Sequence, residues 1–120
     1  MNLSSRHNIK SLKSRDEISF LFNKGKKLSF RFGLIILLKK RDKNKYAGIL
    51  VKKNFGNAVK RNYAKRLLRH YVRENPTLLS KYNRVIFLVS KRPKDFTAKN
   101  LFNELDYTLK NYLSESIKNG

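Results

Sequence analysis

Within "GNAVKRNYAKRLLRH", residues 56–70, the cations Lys60, Arg61, Lys65, Arg66 and Arg69 crowd around the uncharged Asn62, and no carboxylate stands among them. Side chains of these types do not break bonds. A guanidinium fork matches the oxygens of a phosphate, an ammonium adds a point charge, and an Asn amide supplies both a donor and an acceptor. The chemistry on offer is capture of a polyanion. Surface helices ordinarily interleave signs so that i, i+4 pairs form, yet between Lys43 and Arg73 there are ten Lys and Arg and no Asp or Glu.

Other reactive residue types are arranged for no reaction. His7 and His70 lie far apart in the chain, without the spacing of a metal pair or of a general acid and base. Asp16 and Glu17 are adjacent acids at the start of a helical pattern, a placement that serves the helix dipole. "KNFGNAVKRN" is a Gly-containing basic loop before a helix but lacks the spacing of a nucleotide-phosphate loop. Cysteine is absent, which removes thiolate chemistry, Cys metal sites and disulfides, and fits a reducing compartment. No cleavage by the chain alone is expected, and no metal of its own.

The elements that must position the cations are legible in the spacing. At 100° per residue, Arg61, Lys65, Arg69, Asn62, Arg73 and Arg66 share one side of a helix over 59–73, and Tyr63, Leu67, Tyr71, Ala64 and Leu68 the other. Lys60 falls towards the apolar arc, in the first turn, where its stem can snorkel outward. Asn57 is placed to cap that helix, and Asn62 reads either as a contact to the anionic partner or as a local cap. Upstream, Ile18, Leu21 and Phe22 recur at helical spacing until Gly25. Leu28 to Leu38 reads as one long strand or two, "KKRDKNK" as a turn, and "YAGILV" at 46–51 as the returning antiparallel partner. "RVIFLVS" at 84–90 is a continuous apolar strand, buried on both faces or covered by helices on one and a ligand on the other. A last helix spans Lys99 to about Ile117, with Leu101, Leu105, Leu109 and Leu113 spaced by four. Residues 1–13 read as a flexible basic arm, and 14–118 as a single α+β domain.

The whole chain carries +21, from 29 Lys and Arg against 8 Asp and Glu, with 40% apolar residues. A compact fold with that charge repels itself unless an anion screens it, while the apolar content excludes a merely disordered tail. The longest apolar run, "GLIILL", is far short of a membrane span, and the N-terminus lacks a secretory core, so a cytoplasmic protein with no membrane partner is expected. RNA is favoured over DNA because a sheet with neighbouring aromatics offers unpaired bases a platform, and no zinc finger or basic zipper is present. A small ribosomal or other structural RNA-binding protein would share these traits.

One known family matches these residues in order. "YAGILVKKNFGNAVKRNYAKRLLRHYV" at 46–72, flanked by "FLFNKGKK" at 20–27 and "VIFLVSKRP" at 85–93, resembles the bacterial ribonuclease P protein component. The resemblance implies a helix-strand-strand-strand-helix-strand-helix order, a central four-stranded sheet and a left-handed crossover. It implies a protein subunit that joins a large catalytic RNA and promotes removal of the 5′ leader from precursor tRNA, with Mg2+ held through the RNA subunit. Arg61, Asn62, Lys65, Arg66 and Arg69 would then face the catalytic RNA, with Lys60 added as a candidate on its position alone. Ile18 and Phe22 on the first helix, Ile36 and Lys53 on the sheet, and Val89 and Lys91 at the last strand would hold the leader. The chain departs from the family pattern at Tyr63, which replaces a usual Arg, at Ile18 and Ile36, often aromatic, and at Asn54, commonly Lys.

Overall fold

The computed structural model describes residues 9–90 and 94–119. Its elements run Ile9–Ser11 (β1), Arg15–Lys24 (α1), Lys26–Phe30 (β2), Gly33–Leu38 (β3) and Lys45–Val51 (β4), then a 3-10 turn at Lys53–Phe55. Ala58–Glu74 (α2), Leu78–Lys81 (α3), Arg84–Val89 (β5) and Ala98–Asn119 (α4) complete the chain. The strands form one sheet in the order β1-β4-β5-β3-β2, which makes an α+β fold with five strands rather than four.

Two local expectations are corrected. The polar arm does not extend to residue 13: Ile9–Ser11 pairs in parallel with β4, and Ile9 and Leu12 are buried. Two apolar side chains in a basic run suffice because an open strand edge supplies the backbone partners. Residues 46–51 are not the antiparallel partner of β3, either. β5 lies between them, antiparallel to β3 and parallel to β4, so the connection through α2 is a crossover. The apolar segment 28–38 is a hairpin turning at Arg31 and Phe32, with Phe30 opposite Gly33. A Cβ at Gly33 would stand 1.8 Å from the Leu88 carbonyl oxygen, so only glycine lets the hairpin lie this close to β5.

The sheet has two unequal faces. One is covered by α2 and α4, where Ile35, Leu37, Val85, Phe87 and Val89 meet Ala64, Leu68, Tyr71, Leu101 and Leu105. Tyr71 also donates from its hydroxyl to Asp106 at 2.8 Å; burial first, then that bond and the carboxylate charge, push its phenol well above the usual range, so it stays a neutral donor between the helices. Among the described residues, the other face is covered by α1 and the turn before it, where Leu21 and Leu12 pack with Ile36 and Ile86 and Ile18 and Phe22 lie at the margin. Ser14 caps α1, its hydroxyl accepting from the Glu17 amide at 3.4 Å, and Gly25 ends it.

The lower end of the sheet is fixed by a buried arginine. Arg84 donates to the Asp42 carboxylate at 2.8 Å and to the Asn44 carbonyl at 2.6 Å, lies over the Tyr46 ring, and approaches Glu17 at 3.7 Å. The hydrogen bond from Arg84 is the main reason the Asp42 carboxyl sits below its ordinary 3.8, desolvation opposing it. A depressed carboxyl is harder to protonate folded than unfolded, so its stabilisation is present above pH 3.8 and is lost as pH falls through the folded value. Asp42→Asn is expected to flatten that part of the acid limb of a stability-against-pH curve, as read by denaturant midpoints. An unchanged limb would remove this pair from the acid response.

Candidate nucleic-acid interface

The helix that carries the cations is built as its spacing requires. Asn57 caps it, its side-chain oxygen accepting from the Lys60 amide at 3.0 Å, and Ala64, Leu68, Tyr71 and Val72 form its buried side over β4. Asn62 and Arg66 are exposed, while Arg61, Lys65 and Arg69 are half-buried along the flank. Their stems cover apolar surface while their heads reach solvent. Ion pairs in the described region join Arg31 to Asp95, Lys40 to Glu17, and Arg84 to Glu17 and Asp42. Among the described residues, none of Lys60, Arg61, Lys65, Arg66 and Arg69 pairs with an acid.

Two neighbours stand apart from the cationic row. Lys60, expected towards the apolar arc with its stem reaching outward, is exposed and lies beside Gly56. Tyr63 is 42% exposed, not part of the packed side. The buried arc centres on Leu68, and Tyr63 lies about 140° around the axis from it. With Val59, 76% exposed, it forms an outward apolar strip one turn long.

The residues expected to hold a leader separate into three groups. Ile18 and Phe22 are half-buried at the margin of the α1 cluster, where one side of each faces out. Ile36 and Val89 are corrected: each is 0% exposed, Ile36 sealed beneath α1 and Val89 on the opposite face against α2 and α4. Lys53 is exposed but belongs to the 3-10 turn beyond β4, and Lys91 lies outside the described residues, as does His7.

The register shows what forms the accessible surface instead. Ser29, Leu34, Leu88 and Leu50 are opposite one another across β2, β3, β5 and β4. Alternation from Ile36 and Ile86 places this row on the α1 side, one step beyond the residues α1 covers. Leu34 and Leu88 are half-buried and belong to neither core cluster, and Leu50 packs against the same cluster as Phe22, so the three leucines form an aliphatic floor on the face of the sheet that carries Phe22. Lys52, whose amide donates to Val89 at 3.0 Å and continues the ladder, holds the exposed position on this side. Leu34, Leu88 and Lys52 escape a reading of the sequence because "GLIILL", "RVIFLV" and "KK" contain no alternation from which a face could be read.

The arrangement offers cations and apolar floors but no metal cradle: the described residues contain no group of three or more His, Cys, Asp or Glu able to hold an ion. No helix among them is long and apolar enough to cross a membrane.

Comparison with known proteins gives one answer. The ribonuclease P family model matches residues 7–113. Ribonuclease P protein components of Streptococcus agalactiae are similar over 75 residues, 62% of this chain and 69% of theirs, at 34% identity for a serotype Ia strain and 33% for a serotype III strain. The fold is similar to a Staphylococcus aureus RNase P protein solved at 2.0 Å, with a TM-score of 0.75 and 24% identity over 85% of this chain and 94% of that one. The Thermotoga maritima RNase P protein superposes with a TM-score of 0.69 and 26% identity over 85% of this chain and 96% of that one.

Proposed function

The chain belongs to the ribonuclease P protein family, and on that footing we propose that it is the subunit that seats precursor tRNA on a catalytic RNA for removal of the 5′ leader. The observation that carries the division of labour is the row of cations on α2 without an acid partner among the described residues. Phosphates of the catalytic RNA supply the missing charge, and each one neutralised releases counterion. On the other side of the sheet, the floor of Leu34, Leu88 and Leu50 with Phe22 receives the unpaired leader, and Lys52 meets its backbone. A floor of aliphatic groups with one aromatic ring grips by contact area more than by base stacking.

The protein's own residues bind and orient. Bond cleavage belongs to the RNA subunit and to the Mg2+ ions it holds, and the protein lowers the electrostatic cost of bringing two polyanions together in reacting geometry. The compartment is the cytoplasm, where both RNAs are present.

Reconstitution with a bacterial ribonuclease P RNA tests the proposal: the chain is expected to stimulate cleavage of precursor tRNA at low Mg2+. Equal stimulation by an arbitrary basic protein, or none with a competent RNA, would leave a structural RNA-binding role instead. Phe22→Ala is expected to reduce preference for leader-bearing over mature tRNA about tenfold, within the roughly 1–3 kcal/mol of a stacked base, while assembly with the catalytic RNA stays unchanged. Competition binding of the two tRNA forms reads this directly, and an equal loss for both forms would move Phe22 from leader contact to packing.

A further inference from the structure

At the end of β4 opposite Lys52, the loop from β3 to β4 folds back over α3 and leaves a cleft of about 310 Å3. Lys39, Arg41, Lys43, Lys45 and Lys81 line it, above Leu79 and Ser80. Among the described residues, none of the five makes an ion pair or a side-chain hydrogen bond. Lys40, also at the rim, is already engaged by Glu17 and the Phe20 ring.

The loop is held in this form from beneath. The buried Asn83 accepts from the Lys40 amide at 2.7 Å and donates to the carbonyls of Lys40 at 3.1 Å and Asp42 at 2.7 Å. Arg84 takes the Asn44 carbonyl. With those backbone groups turned inward, the charged side chains are left to line the opening. The one acid at the cleft, Asp42, has its carboxylate occupied by Arg84 and the Asn44 amide, so it neutralises none of the five cations.

We propose that this cleft is a second RNA-binding site, which grips the phosphodiester backbone of an RNA strand independently of sequence. Charge complementarity selects the ligand, because five unpaired cations around one small opening repel each other until an anion enters. The absence of any aromatic ring among its lining residues selects backbone over base, since positioning contacts go to phosphate and sugar. β4 separates Lys45 in the cleft from Lys52 on the leader side by about 20 Å at strand rise, so the two surfaces hold different stretches of RNA. The inference rests on the chain being an RNA-binding protein, but not on α2 being where it binds.

The test compares full-length wild type, Lys39→Ala/Arg41→Ala/Lys43→Ala and Arg66→Ala/Arg69→Ala, each binding a bacterial ribonuclease P RNA over a series of salt concentrations. None of Lys39, Arg41 and Lys43 contributes a group to the Asn83 and Arg84 clamp, so the thermal midpoint of the triple variant is expected to match wild type. Its slope of log affinity against log salt should fall by about 2 to 3, at about 0.7 to 0.9 for each phosphate no longer neutralised. Should the triple variant fail to fold, Lys43→Glu alone should still lower the slope by about 1 or more. A wild-type slope in these variants, with a reduced slope in the α2 variant, overturns the inference and leaves the α2 reading standing. A reduced slope in the cleft variants with none in the α2 variant does the reverse. Saturable shifts of the loop amides with inorganic phosphate alone, together with an unchanged RNA slope, make this a free-phosphate site and also overturn it.

Discussion

Changing Arg66 and Arg69 together to Ala is expected to weaken binding to the catalytic RNA by roughly 60-fold at 0.1 M salt and to flatten the salt dependence by about 1.8, two phosphates at about 0.9 each. Arg66 is exposed and Arg69 half-buried, and neither belongs to the buried side of α2, so stability should change by about 0.5 kcal/mol or less. That combination separates loss of an interface from loss of the fold. Replacing the same pair with Lys keeps the charge and removes the planar fork. It is expected to retain most of the salt slope while losing part of the affinity, because a point charge makes one bond where a guanidinium makes two. Filter binding across four or five salt concentrations gives both numbers. A double Ala variant with the wild-type slope would mean these arginines touch no phosphate.

The second large effect lies at Arg84, whose side chain is 3% exposed. Arg84→Met would leave Asp42 and Glu17 facing a position that no longer holds charge, and the Asn44 carbonyl without its donor. Breaking a buried pair from one side costs about 3–5 kcal/mol; the two carboxylates are partly solvated, at 44% and 34% exposure, which brings the expected loss to about 2–4 kcal/mol. Against a typical total of about 5–15 kcal/mol this lowers the thermal midpoint by roughly 10 °C. Glu17 Oε2 and Arg84 Nε, 3.7 Å apart, are both buried without a hydrogen-bond partner, so their attraction is electrostatic alone. Neutralising Glu17, whose Oε2 would then face no cation, should therefore recover part of the loss: Arg84→Met/Glu17→Gln is expected to be more stable than Arg84→Met. Calorimetry of the three proteins decides it, and a double variant less stable than the single would show that Glu17 matters through Lys40 instead.

Most of the helices are legible in the sequence because each has its own local signal. Asn57 caps α2, the adjacent acids Asp16 and Glu17 open α1, and the leucines of α4 recur every fourth residue. The cationic face is legible for the same reason, since a helix presents its sequence at a fixed angle. The sheet is not, because strand neighbours are chosen by long-range pairing. Nothing local in "YAGILV" says that its partners are Ile9–Ser11 and a strand more than 30 residues later. Face assignment fails at Val89, and Ile36 lies on the expected face but under α1, for a related reason: a run apolar at every position fits either side equally, and only the register of Ile36 opposite Ile86 and Gly33 opposite Val89 settles it. The hairpin tip and the four-residue α3 are hidden inside stretches that read as a strand and as a connection.

The place of β5 between β3 and β4 governs when this molecule can become itself. As the chain leaves the ribosome, β3 and β4 emerge early and have no direct ladder with each other. The middle of the sheet stays open until residue 89 has been synthesised. Until then two apolar strand edges are exposed in a nascent chain whose charge discourages collapse. Nascent chains truncated before Arg84 should therefore remain protease-sensitive, and protection should arrive in one late step.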